Sequence, residues 1–186
     1  MSTKVEATIE DLYGVEGKAE IVNGEIVLMP PTGCEPGYAG DEIFVSLREH
    51  SKRVGSGLAV SDNKAFVVNL PHRKSLSPDV AFHTGPLTGM KFFEGAPVFA
   101  VEVRSKNDYG PKAEQRMAEK RADYFATGTQ VVWDVDLRGD DVIRSYRADA
   151  PDQPQIFRRG DTASAEPAMP GWTMPVDDLF IRCSDE

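Results

Sequence analysis

The chain has 186 residues, of which 40% are hydrophobic and 27% charged. This mixture is typical of a folded soluble protein and excludes a disordered chain, a collagen-like fibre and a coiled coil. No apolar stretch approaches the roughly 18 residues that a membrane span needs, and the first residues lack the basic and apolar segments of a secretory signal. We therefore expect one soluble, cytoplasmic domain over residues 1–186.

The charge of the chain argues against one class of protein. The formal net charge is −9, from 21 Lys and Arg against 30 Asp and Glu. Proteins that bind nucleic acid over a broad surface are usually basic, so this acidity disfavours them. The cysteines, Cys34 and Cys183, form no Cys-x-x-Cys pair, and the three histidines are scattered. A zinc site is therefore not expected, and a metal ion would have oxygen ligands.

In the first half of the chain, residues typical of helix starts and turns alternate with apolar segments. Thr8 is a suitable N-cap for a short helix, because its side chain can accept a hydrogen bond from the first turn. Asn23-Gly24, between two apolar runs, is typical of the turn of a β-hairpin. These patterns predict helices over 8–13 and 37–53, a hairpin over 19–29, and strands over 57–61, 64–70 and 78–83.

The second half combines apolar strands with the longest helix, which Pro111 and Gly128 delimit. The tail from residue 150 contains five prolines and an apolar cluster, and we expect it to wrap onto the core with an edge strand. The predicted elements are a loop over 84–96, a strand over 97–105, a helix over 111–127, and a hairpin formed by 130–136 and 141–147. This order predicts an α/β (mixed α+β) sheet with helices packed against it.

Two carboxylates belong to short apolar strands. Glu102 lies in PVFAVEVRS, where a carboxylate is costly to bury unless it has a partner, such as Arg104 or a helix cation. Asp79 follows Pro78 at the start of a strand, where a turn or capping role is the alternative. If the two strands are neighbours, the carboxylates converge. A shared cation such as Mg²⁺ or Mn²⁺ would then relieve their repulsion.

Four segments occur in an order that resembles the PD-(D/E)XK nuclease superfamily. They are AEIVNGEIVLMPPTG (19–33), LSPDVAF (76–82), EGAPVFAVEVRSKND (94–108) and EKRADYFATGTQVVWDVD (119–136). The sequence is most similar to the restriction endonuclease-like family of that superfamily, formerly a domain of unknown function. The resemblance implies a central mixed sheet flanked by helices, with additional β-hairpins. It also implies a Mg²⁺- or Mn²⁺-dependent endonuclease that acts on nucleic acid, with DNA as the expected substrate.

The resemblance also implies roles for individual residues of the site. Asp79, Glu102 and the carbonyl of Val103 would hold the metal ion. Glu20, at the start of the first hairpin, would be an outer acid or a ligand of a second metal ion. A plain surface charge on the hairpin is the alternative for Glu20.

The expected catalytic cation departs from the superfamily pattern. The position two residues after Glu102 holds Arg104, which stays protonated and is a poor proton acceptor, in place of lysine. The family carries its lysine on the following helix, which implies Lys120. This residue shares a helix face with Tyr124, so it either reaches the carboxylates or extends past the core. Arg104 and Lys106 are the candidate contacts to substrate.

Three functions are compatible with these residues. The first is the metal-dependent endonuclease. The second is a catalytically idle nuclease-fold module for interaction or assembly, which the acidic charge favours because nucleic-acid affinity normally depends on Lys and Arg contacts. The third is a glycosidase that uses Asp79 and Glu102 as acid and nucleophile, although the sequence has no clear aromatic platform for a sugar.

We also expect a homodimer. The first hairpin is apolar on both faces, so one face needs a cover besides the core, and a partner subunit is the simplest one. The N-terminal helix or the C-terminal tail is the alternative cover. A two-fold pair would also combine basic clusters such as His72-Arg73-Lys74 across one groove. The apolar hairpin residues are Ile21, Val22, Ile26, Val27, Leu28 and Met29.

Overall fold

The computed structural model describes residues 5–181; residues 1–4 and 182–186, with Cys183, lie outside this description. The helices are α1 (Ile9–Tyr13), α2 (Cys34–Val54) and α3 (Pro111–Ala126), and a 3-10 helix, η1, covers Val176–Leu179. The strands are β1 (Ala19–Val22), β2 (Glu25–Leu28), β3 (Leu58–Val60), β4 (Phe66–Val67), β5 (Ser75–Leu76), β6 (Val80–His83), β7 (Phe93–Glu94), β8 (Phe99–Val103), β9 (Val131–Val135), β10 (Ile143–Arg147), β11 (Ala150–Phe157), β12 (Thr162–Ser164) and β13 (Thr173–Pro175).

A six-stranded mixed sheet with the order β11-β10-β9-β8-β6-β3 forms the centre of the fold. Strand β8 lies inside this sheet, parallel to β9 and antiparallel to β6. Val80 pairs with Val101, so the start of β6 lies beside the end of β8. The mixed sheet with helices and small hairpins around it confirms the predicted fold class.

The two faces of β8 pack against different parts of the chain. Phe99, Val101 and Val103 belong to the larger hydrophobic cluster, which also contains buried residues of α2 and of the C-terminal tail. Ala100 lies on the opposite face, in a second cluster with Tyr124 of α3. Because side chains alternate along a strand, Glu102 shares the α3 side with Ala100. This alternation directs Glu102 toward the helix that carries Lys120.

Local sequence explains where helices α1 and α3 begin and where the chain turns between β1 and β2. Thr8 and Asp11 form a capping box at the start of α1. Asn23 and Gly24 have φ angles of 51° and 73°, the left-handed values that a tight hairpin turn between β1 and β2 requires. Pro111 occupies the first turn of α3, where a missing backbone N–H costs no hydrogen bond.

The structure differs from the predicted elements mainly around the first long helix and the middle of the chain. Helix α2 begins at Cys34, three residues before the predicted start, because Pro36 falls in its first turn, where proline is tolerated. The segment 84–96, expected to be a loop, contributes β7, which pairs parallel with β4. The strand predicted over 64–70 is shorter, and it joins β5 and β7 in a small separate sheet.

The C-terminal segment contributes both to the sheet and to the core. Strand β11 pairs with β10 at the edge of the central sheet. Trp172 is 1% exposed, and its ring centroid lies 5.2 Å from that of Trp133 and 5.8 Å from that of Phe99. Its indole N–H also donates to the hydroxyl of Ser46 on α2 at 3.0 Å. Met174, Val176 and Leu179 are buried in the same cluster.

The first hairpin does not have two equivalent apolar faces. Ile21 is fully buried and packs with Ile26 against residues of α1, which provides one of the expected covers. The opposite face of β1 carries Glu20, which is buried in polar contacts. Val27 and Leu28 of β2 are 44% and 64% exposed. The prediction that both faces are apolar was therefore wrong, because Glu20 replaces an apolar contact on the second face.

Among residues 5–181, no helix combines the length and the apolar character required to cross a membrane.

Replacing Trp172 by alanine tests whether the tail belongs to the core. We expect Trp172→Ala to lower the free energy of unfolding by about 3–5 kcal/mol, because a fully buried indole leaves a cavity among aromatic rings. Urea denaturation followed by circular dichroism would measure this loss. Met90→Ala, at a fully exposed position, is the control and should leave stability unchanged. Wild-type stability of Trp172→Ala would contradict a structural role for the tail.

Candidate functional site

Three carboxylates, Glu20, Asp79 and Glu102, meet at the end of β8 and are called the acidic cluster here. Glu20 comes from β1, Asp79 directly precedes β6, and Glu102 lies on β8. Lys120 of α3 contacts two of them, and Lys18, just before β1, contacts the third. The structure therefore brings together Glu20, Asp79, Glu102 and Lys120, all of which were predicted as site residues.

The pairing of β6 with β8 fixes the position of Asp79. Its backbone N–H donates to the carbonyl of Val101 at 3.0 Å, which extends the ladder by one residue. Its Oδ2 accepts a hydrogen bond from the N–H of Val103 at 2.7 Å. Its Oδ1 lies 2.5 Å from the Nζ of Lys18. Both oxygens of Asp79 therefore have defined partners, one from the backbone and one from a lysine.

Glu102 lies between a lysine and a tyrosine of α3. Its Oε1 accepts a hydrogen bond from the hydroxyl of Tyr124 at 2.6 Å and lies 2.7 Å from the Nζ of Lys120. Burial raises the pKa of Glu102; Lys120 opposes this rise, and the negative charge of Asp79 adds to it. The carboxylate thus lies where additional positive charge would stabilise its ionised form.

Glu20 is the most deeply buried member of the acidic cluster, with its side chain 3% exposed. Its Oε1 accepts from the N–H of Ser77 at 2.7 Å and lies 2.9 Å from the Nζ of Lys120. Its Oε2 accepts from the guanidinium of Arg73 at 2.5 Å. Burial alone would raise the pKa of Glu20, but Lys120 and Arg73 outweigh burial and lower it. Glu20 is therefore ionised and held in place by two cations.

Lys120 bridges Glu20 and Glu102, as its position on the inner face of α3 suggested. Burial disfavours the ammonium group, but the charges of Glu102 and Glu20 outweigh burial and raise the pKa of Lys120 above its ordinary value. In this arrangement Lys120 is protonated. It can stabilise negative charge and donate hydrogen bonds, but it is not a proton acceptor.

The other predicted cations have different surroundings. Arg104 donates to Asp134 from Nε at 2.7 Å and also contacts Glu114, and its side chain is only 5% exposed. Lys106 is exposed in the turn after β8. The structure does not bring Arg104 or Lys106 into the acidic cluster.

The expected basic surface cluster His72-Arg73-Lys74 is also altered. Arg73 is buried, because it forms ion pairs with Glu20 and with Asp123 of α3. His72 contacts the same Asp123 at 2.7 Å. The middle residue of the cluster is therefore internal and cannot contribute to a basic patch.

Sequence reasoning missed Lys18 and Tyr124 as members of the site. Lys18 is two residues before Glu20, and residues at this spacing lie on the same side of an extended chain. Tyr124 is one helical turn after Lys120, a spacing that places two side chains on one face. The sequence contains both signals, but a tyrosine on the inner face of a helix is equally typical of core packing.

The donor atoms of the site suit a hard divalent cation. Asp79, Glu102 and the carbonyl of Val103 offer oxygen ligands, which Mg²⁺ and Mn²⁺ prefer. The raised pKa of Glu102 agrees with a place for added positive charge. Within residues 5–181, however, no three His, Cys, Asp or Glu side chains form a ready group of metal ligands. A cation would therefore also need backbone or water ligands, which is usual for Mg²⁺.

A family of known proteins matches almost the whole chain. The profile of the Uma2 family, described as "Putative restriction endonuclease", matches residues 7–177. The chain belongs to this family. The match includes all three carboxylates of the acidic cluster and both lysines, and it confirms the resemblance that the four sequence segments carried.

A solved structure shares the fold. A crystal structure of a "putative nuclease belonging to DUF820" from Anabaena variabilis superposes with a TM-score of 0.72. The two chains are 16% identical, and the match covers 94% of this chain and 97% of the other. At this identity the similarity shows a common fold. The comparison with curated proteins returned no match.

Two substitutions test whether the surroundings of Glu20 favour its charged form while those of Glu102 disfavour it. We expect Glu20→Gln to lose about 3 kcal/mol of stability at pH 7, because Arg73 and Lys120 lose a buried partner. Glu102→Gln should be at least as stable as the wild type, because burial disfavours its charge. Thermal unfolding would measure both variants, with the exposed Glu94→Gln as control.

Glu20 and Glu102 contribute to the free energy of unfolding with opposite dependences on pH. The pKa of Glu20 is lowered in the folded state, so its stabilisation exists above the ordinary value of 4.5 and disappears as pH falls through the folded value. The pKa of Glu102 is raised, so its penalty exists at neutral pH and disappears in acid. A larger loss of stability for Glu102→Gln than for Glu20→Gln at pH 7 would contradict this assignment.

Proposed function

We propose that the protein is a Mg²⁺- or Mn²⁺-dependent endonuclease that hydrolyses phosphodiester bonds of nucleic acid in the cytoplasm. The observation that supports this function is the convergence of Asp79 and Glu102 at the paired ends of β6 and β8, with Lys120 in contact with Glu102. Membership of the family described as "Putative restriction endonuclease" supports a nuclease in general. DNA is the proposed substrate.

Asp79, Glu102 and the carbonyl of Val103 are the proposed holders of the metal ion. Such an ion, when bound, supplies a Lewis acid and promotes the ionisation of water at neutral pH. Tyr124 orients Glu102 through its hydroxyl, and the N–H of Val103 orients Asp79. The chain's own contribution is thus a pair of carboxylates held rigidly by backbone and side-chain hydrogen bonds.

Lys120 is the proposed catalytic cation. Its ammonium group is protonated, so it would stabilise the negative charge that develops on the phosphate and orient the attacking water. Glu20 contacts the same ammonium group of Lys120 at 2.9 Å and is therefore proposed as an outer acid of the site. Lys106 is the proposed contact to a substrate phosphate, because its ammonium group is exposed beyond the end of β8. Arg104 is proposed to act only by supporting that end of β8.

A second candidate function is a catalytically idle nuclease-fold module that binds other proteins. The net charge of −9 favours it, because the overall negative charge of the protein would repel a polyanionic substrate. The ion pairs of the acidic cluster also favour it, since each of the three carboxylates already contacts a cation within the chain.

A nuclease assay distinguishes the two functions. We expect cleavage of supercoiled plasmid or single-stranded DNA with Mg²⁺ or Mn²⁺, and none with EDTA or in Asp79→Ala. Lys120→Met should reduce the single-turnover rate roughly 100-fold or more, the usual cost of losing one charge-stabilising donor, while Mn²⁺ affinity is retained. Lys112→Met, at an exposed position on the same helix, is the matched control. Absence of cleavage by the wild type on every substrate would favour the interaction module.

A homodimer is also proposed. The exposed Val27 and Leu28 on the edge strand β2 are apolar surface that a second subunit would cover. A dimer would also place two sites side by side on a duplex. Light scattering at tens of micromolar protein in moderate salt should give twice the mass of the chain. Val27→Lys should then shift the mass toward the monomer, whereas a monomeric wild type would reject the proposal.

A further inference from the structure

Lys18 places an ammonium group directly on the carboxylate of Asp79. Its Nζ lies 2.5 Å from Oδ1 of Asp79 and 2.7 Å from Oδ1 of Asp62, and its side chain is only 11% exposed. The other oxygen of Asp79, Oδ2, already accepts the hydrogen bond from Val103. Oδ1 is free of this backbone contact, and a metal ion that took Oδ1 would meet the ammonium group of Lys18 there.

An ammonium group and a divalent cation on the same carboxylate oxygen would repel each other strongly in this partly buried site. Metal binding to Asp79 therefore requires Lys18 to move away. Asp62 offers a place for it, because Asp62 already contacts the ammonium group and is 45% exposed. The long, flexible side chain of lysine permits such a change of partner without movement of β1.

We propose that Lys18 is an exchangeable internal counter-ion of the metal site. It neutralises Asp79 while no metal ion is bound, and it transfers its contact to Asp62 when a divalent cation takes Oδ1 of Asp79. This inference rests on the proposed metal-dependent function. Lys18 is a positioning residue in this role, because it acts through Asp79.

The proposal has two linked consequences. Without Lys18 the metal-free protein holds uncompensated negative charge at Asp79, beside Glu102, and should unfold more easily. Removal of Lys18 also removes the ammonium group that competes for Oδ1 of Asp79, so the metal ion should bind more tightly. A lysine with only a structural role would lower stability without increasing metal affinity.

Calorimetric titration with Mn²⁺ tests the competition directly. We expect Lys18→Met to bind Mn²⁺ about tenfold more tightly than the wild type, a coupling within the usual range between linked sites. Mn²⁺ should also raise its melting temperature more than that of the wild type. Lys18→Arg keeps the charge and should retain wild-type affinity. The control is Lys64→Met, because Lys64 is exposed and its ammonium group donates to the Ser61 hydroxyl and the Asp62 carbonyl in the neighbouring turn.

Amine labelling of the wild-type protein provides a second measurement that does not depend on any variant folding. Acetic anhydride modification followed by mass spectrometry should show that Mg²⁺ increases the labelling of Lys18 and leaves Lys64 unchanged. This result follows if the ammonium group leaves its buried contact with Asp79 for the exposed Asp62.

The outcomes separate this inference from the proposed function. Unchanged or weaker Mn²⁺ affinity of Lys18→Met, with a wild type that binds Mn²⁺, would overturn the role of Lys18 and leave the metal site intact. Labelling of Lys18 that Mg²⁺ does not change would overturn it equally. If neither the wild type nor Lys18→Met binds Mn²⁺, the metal-dependent function fails and this inference fails with it.

Discussion

The balance of charge around three neighbouring carboxylates is the constraint on which the rest of the site depends. Burial disfavours the ionised forms of Glu20 and Glu102, and the negative charge of Asp79 adds to the penalty at Glu102, so nearby cations are needed to offset it. Lys120 connects two of them, and Lys18 neutralises the third. The first hairpin, the centre of the sheet and helix α3 are therefore held together by ion pairs as well as by apolar packing.

The same constraint extends to Arg73, which lies outside the acidic cluster and contacts one of its members. Arg73 contacts Glu20 of the hairpin and Asp123 of α3. One guanidinium group therefore links strand β1, which carries Glu20, to helix α3, which carries Lys120. Because an arginine donates in a fixed planar arrangement, this link also orients the carboxylates. The position of Lys120 thus follows from a chain of contacts that begins outside the acidic cluster.

Local patterns predicted much of the fold and indicated Asp79 and Glu102, whereas Glu20 and Lys120 were predicted from the resemblance to the nuclease family. The Asn23-Gly24 turn and the alternation in β8 depend on neighbouring residues only, so a single sequence shows them. The burial of Arg73 and the partnership of Lys18 with Asp79 depend on contacts between distant segments, which local periodicity does not contain. The sequence-based expectation of a basic patch at His72-Arg73-Lys74 was wrong for this reason: Arg73 has acidic partners from β1 and α3.

The position of Trp172 in the core has a consequence for synthesis of the protein. This ring packs against Phe99 and Trp133 of the central sheet, which precede it by a long stretch of chain. Contacts of such large sequence separation form late and slow folding. A nascent chain on the ribosome lacks this part of the core until the segment around Trp172 has emerged. The central strands are therefore incompletely covered from the time they emerge until the segment around Trp172 follows, and apolar strands exposed in this interval are prone to aggregation.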